Sequence, residues 1–317
     1  MKLVIAGGSG QVGRMLVRAF RRRGDDCVVL TRNVSAARSQ ANGLRDVIWD
    51  GRTLGPWAGQ VDGADVVINL AGRSVDCRYH ARNLEEMMSS RVDSTRVIGQ
   101  AIAQAKNPPR VWLQAGTATI YAHRFDAPND EESGVIGGDE PDVPALWRKS
   151  IDVARAWEAE LNAAPTPRTR KVILRSAMTM SPDNGGVFDR LATLSRLGLG
   201  RQGNGRQFVS WIHEDDFTPA VRFLIERDDL SGAFNLAAPN PLPNRDFMIG
   251  LHQAVGRRLS IPVPAWALEI GAIFLRTETE LILKSRRVIP ARLLKNGFTF
   301  RYPRWPEAAV ELAKRRC

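Results

Sequence analysis

Three side chains able to handle protons or orient a carbonyl fall in one short run. They are Thr117, Tyr121 and His123 in Thr117-Ala118-Thr119-Ile120-Tyr121-Ala122-His123. A hydroxyl such as Thr117 can hold a carbonyl or alcohol oxygen in place. A histidine near its ordinary pKa exchanges protons at neutral pH, and a phenol does so once its pKa is lowered. The competing roles are plain ones: a turn threonine satisfying backbone groups, and packing or surface positions for Tyr121 and His123. A second group of residues is suited to holding phosphates. Gly7-Gly8-Ser9-Gly10-Gln11-Val12-Gly13 follows a short apolar run and leads into a helix-like pattern. Glycine permits the tight turn and the close approach of helix to strand. A helix N-terminus offers free N–H groups to a pyrophosphate.

These residues need a scaffold, and the chain shows its outline. Leu3–Ala6 reads as a buried strand, followed by a helix from Gln11 to Arg23. Further strands are expected at 27–31, 47–49, 66–72, 111–115 and 171–175. Helices are expected at 81–105, 149–162 and 187–197. Strands alternating with helices predict an α/β fold: a Rossmann-like doubly wound parallel sheet with right-handed crossovers. After Ser176 the alternation loosens, and 198–207 reads as a Gly-rich loop. Pro239–Pro243 is a plausible boundary. It divides a dinucleotide-binding domain at 1–240 from a smaller, mainly helical C-terminal lobe at 241–317.

The second strand should select the cofactor. It ends Leu30-Thr31-Arg32-Asn33, and the acidic residues Asp25 and Asp26 lie at its other end. An acid at the strand end suits the ribose hydroxyls of NAD. A basic residue such as Arg32 suits the 2′-phosphate, so NADP(H) is the expected cofactor.

Composition narrows the function classes. Of the 317 residues 44% are hydrophobic, enough for a substantial core. No apolar stretch approaches a membrane span. The longest, Ala265 to Leu275, carries Glu269. Its aliphatic residues are expected to pack on the sheet domain or a partner subunit rather than on a membrane surface. No signal peptide is expected ahead of a strand that starts at the first residues. Cys27, Cys77 and Cys317 form neither a zinc pattern nor a disulfide framework, which fits a reducing cytoplasm. The net charge of +11 raises nucleic-acid binding, but the basic clusters, such as Arg21-Arg22-Arg23 and Arg257-Arg258, are scattered and lack interleaved aromatics. A small-molecule substrate is the expected partner. His213 beside Asp215 and Asp216 suggests a metal, yet adjacent aspartates commonly cap a helix, and no metal is expected.

Taken together, the glycine turn and Asn69-Leu70-Ala71-Gly72 resemble an atypical, extended short-chain dehydrogenase/reductase. Trp211-Ile212-His213-Glu214-Asp215-Asp216, Asn235-Leu236-Ala237-Ala238-Pro239 and Gly297-Phe298 resemble the epimerase/dehydratase-like subgroup with a short extra C-terminal region. The resemblance spans nearly the whole chain. It implies that Gly7, Ser9, Gly10, Gln11, Val12, Gly13, Arg32, Asn69, Leu70, Ala71 and Gly72 line the cofactor, and that Thr117 is the orienting hydroxyl. It also implies a Tyr four residues before a Lys as the acid–base pair. None of Tyr79, Tyr121 and Tyr302 has a Lys at that spacing; aligned on Trp157-Glu158, the Tyr position falls at Ser150 and the Lys position at Ala154. Tyr121 and His123 are the candidate substitutes. Lys149 sits one position from the missing Tyr. Arg91, which stands where relatives carry Asn, could hold an anionic substrate. Two readings follow: an NADP(H)-dependent oxidoreductase or epimerase acting on a small molecule, or a non-enzymatic NADP(H)-binding redox sensor.

Overall fold

A computed structural model describes residues 1–32, 44–141, 143–257, 260–275 and 277–316. Asn33, Arg258 and Cys317 lie outside the described residues. Seven strands form one sheet: β1 (Lys2–Ala6), β2 (Asp26–Thr31), β3 (Leu44–Ile48), β4 (Val66–Asn69), β5 (Val111–Thr117), β6 (Arg170–Ser176) and β7 (Gly232–Leu236). Their order is β7-β6-β5-β4-β1-β2-β3, with every neighbour parallel. This is the expected doubly wound sheet. The chain reverses direction across it between β1 and β4, which opens a crevice at the carboxyl ends of those strands.

The alternation along β1 shows how the layers form. Leu3 and Ile5 point into one core with Leu16 and Phe20 of α1 (Gln11–Arg22) and with Phe217, Val221 and Leu224 further along. Val4 and Ala6 point into the other, beneath α2 (Ala81–Gln104) and α3 (Ala145–Ala163), with Ile98, Ile102, Trp112 and Leu161. All four β1 residues are fully buried, as a central parallel strand requires.

A second lobe is built from α4 (Val187–Arg196), α6 (Asn244–Ala254) and α10 (Trp305–Arg315). Their shared core holds Met180, Phe188, Trp211, Phe247, Trp305 and Leu312. The Trp305 ring stacks on Phe247 at 4.0 Å, and its indole N–H donates to the Phe247 carbonyl at 2.8 Å. This core takes residues from both sides of position 240. In the other direction, Leu293, Phe298 and Phe300 return to the core beneath α1 and α5 (Glu214–Glu226). The remaining α-helices among the described residues are α7 (Ala265–Leu275), α8 (Glu280–Leu283) and α9 (Ala291–Lys295).

The structure departs from the sequence reading in several places. β4 stops at Asn69 rather than running to Gly72, because the Asn69 side chain turns the chain there. Residues 198–207 are not all loop: Leu199–Gln202 pairs with Ile261–Val263. β7 was not anticipated, since a leading Gly232 and an internal Asn235 disguise a strand that pairs at the sheet edge. Glu214, Asp215 and Asp216 form the first turn of α5, but the cap is His213, whose Nδ1 accepts the Asp215 N–H at 3.0 Å. Of the two places expected for the apolar residues of α7, the sheet domain does not receive the largest ones, while a partner subunit stays open. Trp266, Ile273 and Phe274 are 68%, 62% and 81% exposed. No helix among the described residues is long and apolar enough to cross a membrane.

Candidate active site

The glycine turn sits at the carboxyl end of β1 and is closed around its own backbone. Gly7 has φ +76°, and a Cβ there would lie 2.8 Å from the Leu70 carbonyl group. A Cβ on Gly13 would lie 2.5 Å from the Gly7 carbonyl oxygen. Neither position tolerates a side chain, so α1 approaches β1 as closely as a pyrophosphate cradle needs. Gly10 caps α1 without any side-chain hydrogen bond, which leaves the helix end open to an anion. Ser9 is exposed, and its carbonyl accepts from Arg14 at 2.8 Å. The Gln11 amide donates to Ser181 Oγ at 3.0 Å and thereby ties the turn to the second lobe. Val12 packs partly buried against the core under α1.

Arg32 is exposed at the end of β2, next to this turn, and has no described carboxylate partner. Its guanidinium is available for a phosphate. The Asn69–Gly72 segment lies against Gly7 from the β4 side. Asn69 itself is fully buried. Its Oδ1 accepts the Ala71 N–H at 3.0 Å, and its amide donates to Gln114 at 3.1 Å. Asn69 therefore shapes the segment, while Leu70, Ala71 and Gly72 present its surface. Arg91 lies beneath Gly72, over the Trp157 ring at 5.0 Å. It donates to the Met87 carbonyl at 3.0 Å, and burial lowers its pKa to about 10.

The sheet thus gathers the cofactor candidates at one edge. The three residues on the β5 loop have more divided roles. Thr117 ends β5 half-buried, and its Oγ1 accepts the Thr119 N–H at 3.1 Å, so its hydroxyl hydrogen remains free to donate. Tyr121 is 2% exposed. Its hydroxyl donates to Asn235 Oδ1 at 3.0 Å and accepts from Arg175 at 2.8 Å. Burial raises the Tyr121 pKa despite Arg175, away from the range useful for proton exchange. His123 is wedged edge-on between Phe125 and Trp147, and its Nδ1 accepts the Ser285 N–H at 2.8 Å. Burial first, then Lys284, lowers its pKa. His123 is thus held neutral with its proton on Nε2.

A group of ionisable side chains that the sequence reading missed stands behind this loop. Ser150, at the position expected for Tyr, lies 2.6 Å from Glu280 Oε1 and donates to the Trp147 carbonyl at 2.9 Å. One hydroxyl hydrogen serves one acceptor, so a protonated Glu280 donating to Ser150 lets both bonds form. Burial raises the Glu280 pKa in that direction. Lys284 Nζ is 4.0 Å from Glu280 and donates to the Thr119 carbonyl at 2.7 Å. Burial, then repulsion from Arg286, pushes Lys284 down to about 8. Arg286 Nε donates to Thr119 Oγ1 at 3.1 Å. Glu280 Oε2 and Arg286 Nη2 are buried without a hydrogen-bond partner, although Arg286 Nη2 lies 3.8 Å from Glu280 Oε1. Around them the segment 284–289 straps the β5 loop: Ser285 Oγ donates to the Arg124 carbonyl, and Asn129 exchanges backbone bonds with Arg287 and Ile289. No motif marks this segment; the one signal in the sequence was four charged residues, Glu280, Lys284, Arg286 and Arg287, in an otherwise apolar stretch.

Near α5, His213, Asp215 and Glu311 bring ligand-type atoms within 4.8 Å of one another. Both His213 nitrogens are already engaged, Nδ1 with the Asp215 N–H and Nε2 with Glu311 at 2.8 Å. The arrangement serves as a helix cap joined to α10.

Residues 3–141 match the NAD dependent epimerase/dehydratase family, and residues 263–312 match a domain of unknown function, DUF1731. The chain is 29% identical to the epimerase family protein SDR39U1 of Homo sapiens, over 98% of this chain and 99% of that protein. It is 28% identical to the epimerase family protein YfhF of Bacillus subtilis, over 95% and 94% respectively. Its fold superimposes on the crystal structure of human SDR39U1 (isoform 2) with NADPH at a TM-score of 0.84, with 27% identity and 99% of each chain covered.

Proposed function

We propose that this chain, in which an NAD dependent epimerase/dehydratase domain precedes a DUF1731 domain, is an NADP(H)-dependent oxidoreductase or epimerase acting on a small molecule in a reducing, cytoplasmic setting. Support for the cofactor comes from the glycine turn, from Arg32 at the end of β2, and from the NADPH in the similar human structure. The 2′-phosphate goes to Arg32, the pyrophosphate to the turn from Gly7 to Gly13, and the nicotinamide end toward Leu70–Gly72 and Thr117. The bound cofactor supplies hydride transfer.

One observation favours an enzyme: Ser150, at the position of the missing Tyr, is hydrogen-bonded to Glu280, which lies beside Lys284. Burial moves the two ionisable groups toward each other in pKa, Glu280 upward and Lys284 downward. Their neutral and charged forms then exchange a proton at low cost. In this reading Ser150 gives its proton to the substrate oxygen, Glu280 restores it, and Lys284 holds the reserve. Thr117 orients the substrate with its free hydroxyl hydrogen. The redox-sensor reading draws on the burial of Lys284, which is 1% exposed.

A panel of carbonyl compounds and nucleotide sugars, followed by NADPH absorbance, tests the proposal. Wild-type protein should turn over at least one class. Ser150→Ala and Lys284→Met should each lower the rate by about 10²–10⁴, the usual weight of acid–base catalysis. NADPH affinity should stay within about two-fold of wild type, because neither side chain touches the phosphate cradle. Unchanged turnover in both variants would remove the relay. Tight NADPH binding without any turnover would favour the sensor.

A further inference from the structure

The second lobe treats its arginines in two ways. On the side of α5 and α10 they are neutralised: Arg315 pairs with Glu214 and Glu311, Arg316 with Asp189, and Arg301 with Asp215. Elsewhere in the lobe four are left open. Arg196, Arg201, Arg206 and Arg257 are all exposed and form no salt bridge with a described carboxylate.

Two of them, Arg196 and Arg201, lie beside exposed apolar residues. Along α7, Trp266, Ile270, Ile273 and Phe274 follow the spacing i, i+4, i+7, i+8, which is one face of a helix. They are 68%, 49%, 62% and 81% exposed, whereas Ala272 on the inward face is 4% exposed. The ridge continues at the entrance to the helix. The Ile261 N–H donates to the Gly198 carbonyl at 2.8 Å, which sets exposed Ile261 beside exposed Leu197. Arg196 precedes Leu197, and Arg201 lies on the strand paired with Ile261–Val263. Glu269, the one acid within α7, accepts from Thr279 Oγ1 at 2.6 Å.

We propose that α7 and the 196–201 and 261–263 segments form a docking surface for an anionic lipid bilayer, with the helix lying in the plane of the interface. Apolar side chains enter the acyl boundary, and the unpaired arginines meet acidic headgroups. The helix is too short to span, and its one charged residue is Glu269, so the basic residues come from the neighbouring segments. A second copy of this chain is a poorer match, because two such faces set Arg196 and Arg201 against their own counterparts. Of the two places expected for this helix, the sheet domain or a partner subunit, the sheet domain does not receive its large apolar side chains, which point outward.

The test uses the full chain with vesicles of phosphatidylcholine alone or mixed with phosphatidylglycerol. Wild-type protein should co-sediment with the mixed vesicles, release at high salt, and shift its tryptophan emission to the blue, a shift missing in Trp266→Phe. Ile273→Ser combined with Phe274→Ser should weaken partitioning by more than about ten-fold, the scale expected for withdrawing two large apolar side chains from an interface. Arg201→Glu should weaken it less and reduce its salt sensitivity. Both substituted apolar residues are exposed, so NADPH affinity serves as a check of folding. Failure of wild type to bind mixed vesicles overturns the proposal, as does binding that ignores the double substitution. A dimer that the double substitution dissociates also overturns it, and assigns the ridge to a second copy.

Discussion

The cofactor half and the chemistry half of the candidate site are built by different means. The cofactor half uses residues next to each other in the chain, Gly7–Gly13 and Asn69–Gly72, and its constraints are steric: a missing Cβ at Gly13, a positive φ at Gly7. The chemistry half joins residues more than a hundred positions apart, Ser150 to Glu280 and Thr119 to Lys284 and Arg286, and its constraints are electrostatic. A steric cradle is coded by small residues at fixed spacing. A buried ionic cluster can be supplied by any element that reaches it, so its residues carry no fixed spacing.

The contrast can be broken at several points, the largest effect on NADPH binding first. Gly13→Val should abolish NADPH binding and destabilise the fold by about 1–3 kcal/mol, since a Cβ 2.5 Å from the Gly7 oxygen forces the backbone apart. Calorimetric titration and thermal melting read both effects; binding that survives would mean the turn is looser than its geometry. Arg32→Ala should cost ~2 kcal/mol of NADPH affinity, about thirty-fold, and leave NADH unchanged. Equal losses for the two cofactors would take the 2′-phosphate away from Arg32. Lys284 separates the halves by pH. Its pKa falls from 10.5 unfolded to about 8 folded, so the folded state disfavours the charged form. Replacement by Met should therefore stabilise most below pH ~8, by on the order of 3 kcal/mol, and the advantage should fade as pH rises from about 8 to 10.5. In the same window the wild-type rate should show an inflection that Lys284→Met lacks. A pH-independent stability difference would deny the burial of the charge. The smallest effect belongs to Tyr121→Phe. It removes two buried hydrogen bonds at a cost of ~1–3 kcal/mol in stability, with NADPH affinity unmoved. A selective loss of turnover instead would return Tyr121 to the chemistry.

How far the sequence reached differs with the physics of each element. β1, α1 and β2 were legible because continuous apolar runs and glycine punctuation are local signals. The parallel sheet followed from alternation. β7 was hidden, since Gly232 and Asn235 weaken a five-residue strand whose place is set by pairing with β6. Tyr121 and His123 looked free to act because the residues that hold them, Arg175, Asn235 and Ser285, lie far away in the chain. Asn69 stands out in the sequence as a cofactor-lining candidate, and its side chain folds the Asn69–Gly72 segment.

By itself the sequence determined the Rossmann-like α/β architecture and the dinucleotide cradle. Both depend on short-range periodicity and on where a side chain is absent. It also determined that the usual Tyr and Lys are missing. Only the tertiary structure brought Glu280 and Lys284 to Ser150. Burial raises the carboxyl and lowers the ammonium, each shift partly offset by the other group, and that burial exists only once the strap at 284–289 has closed over the β5 loop.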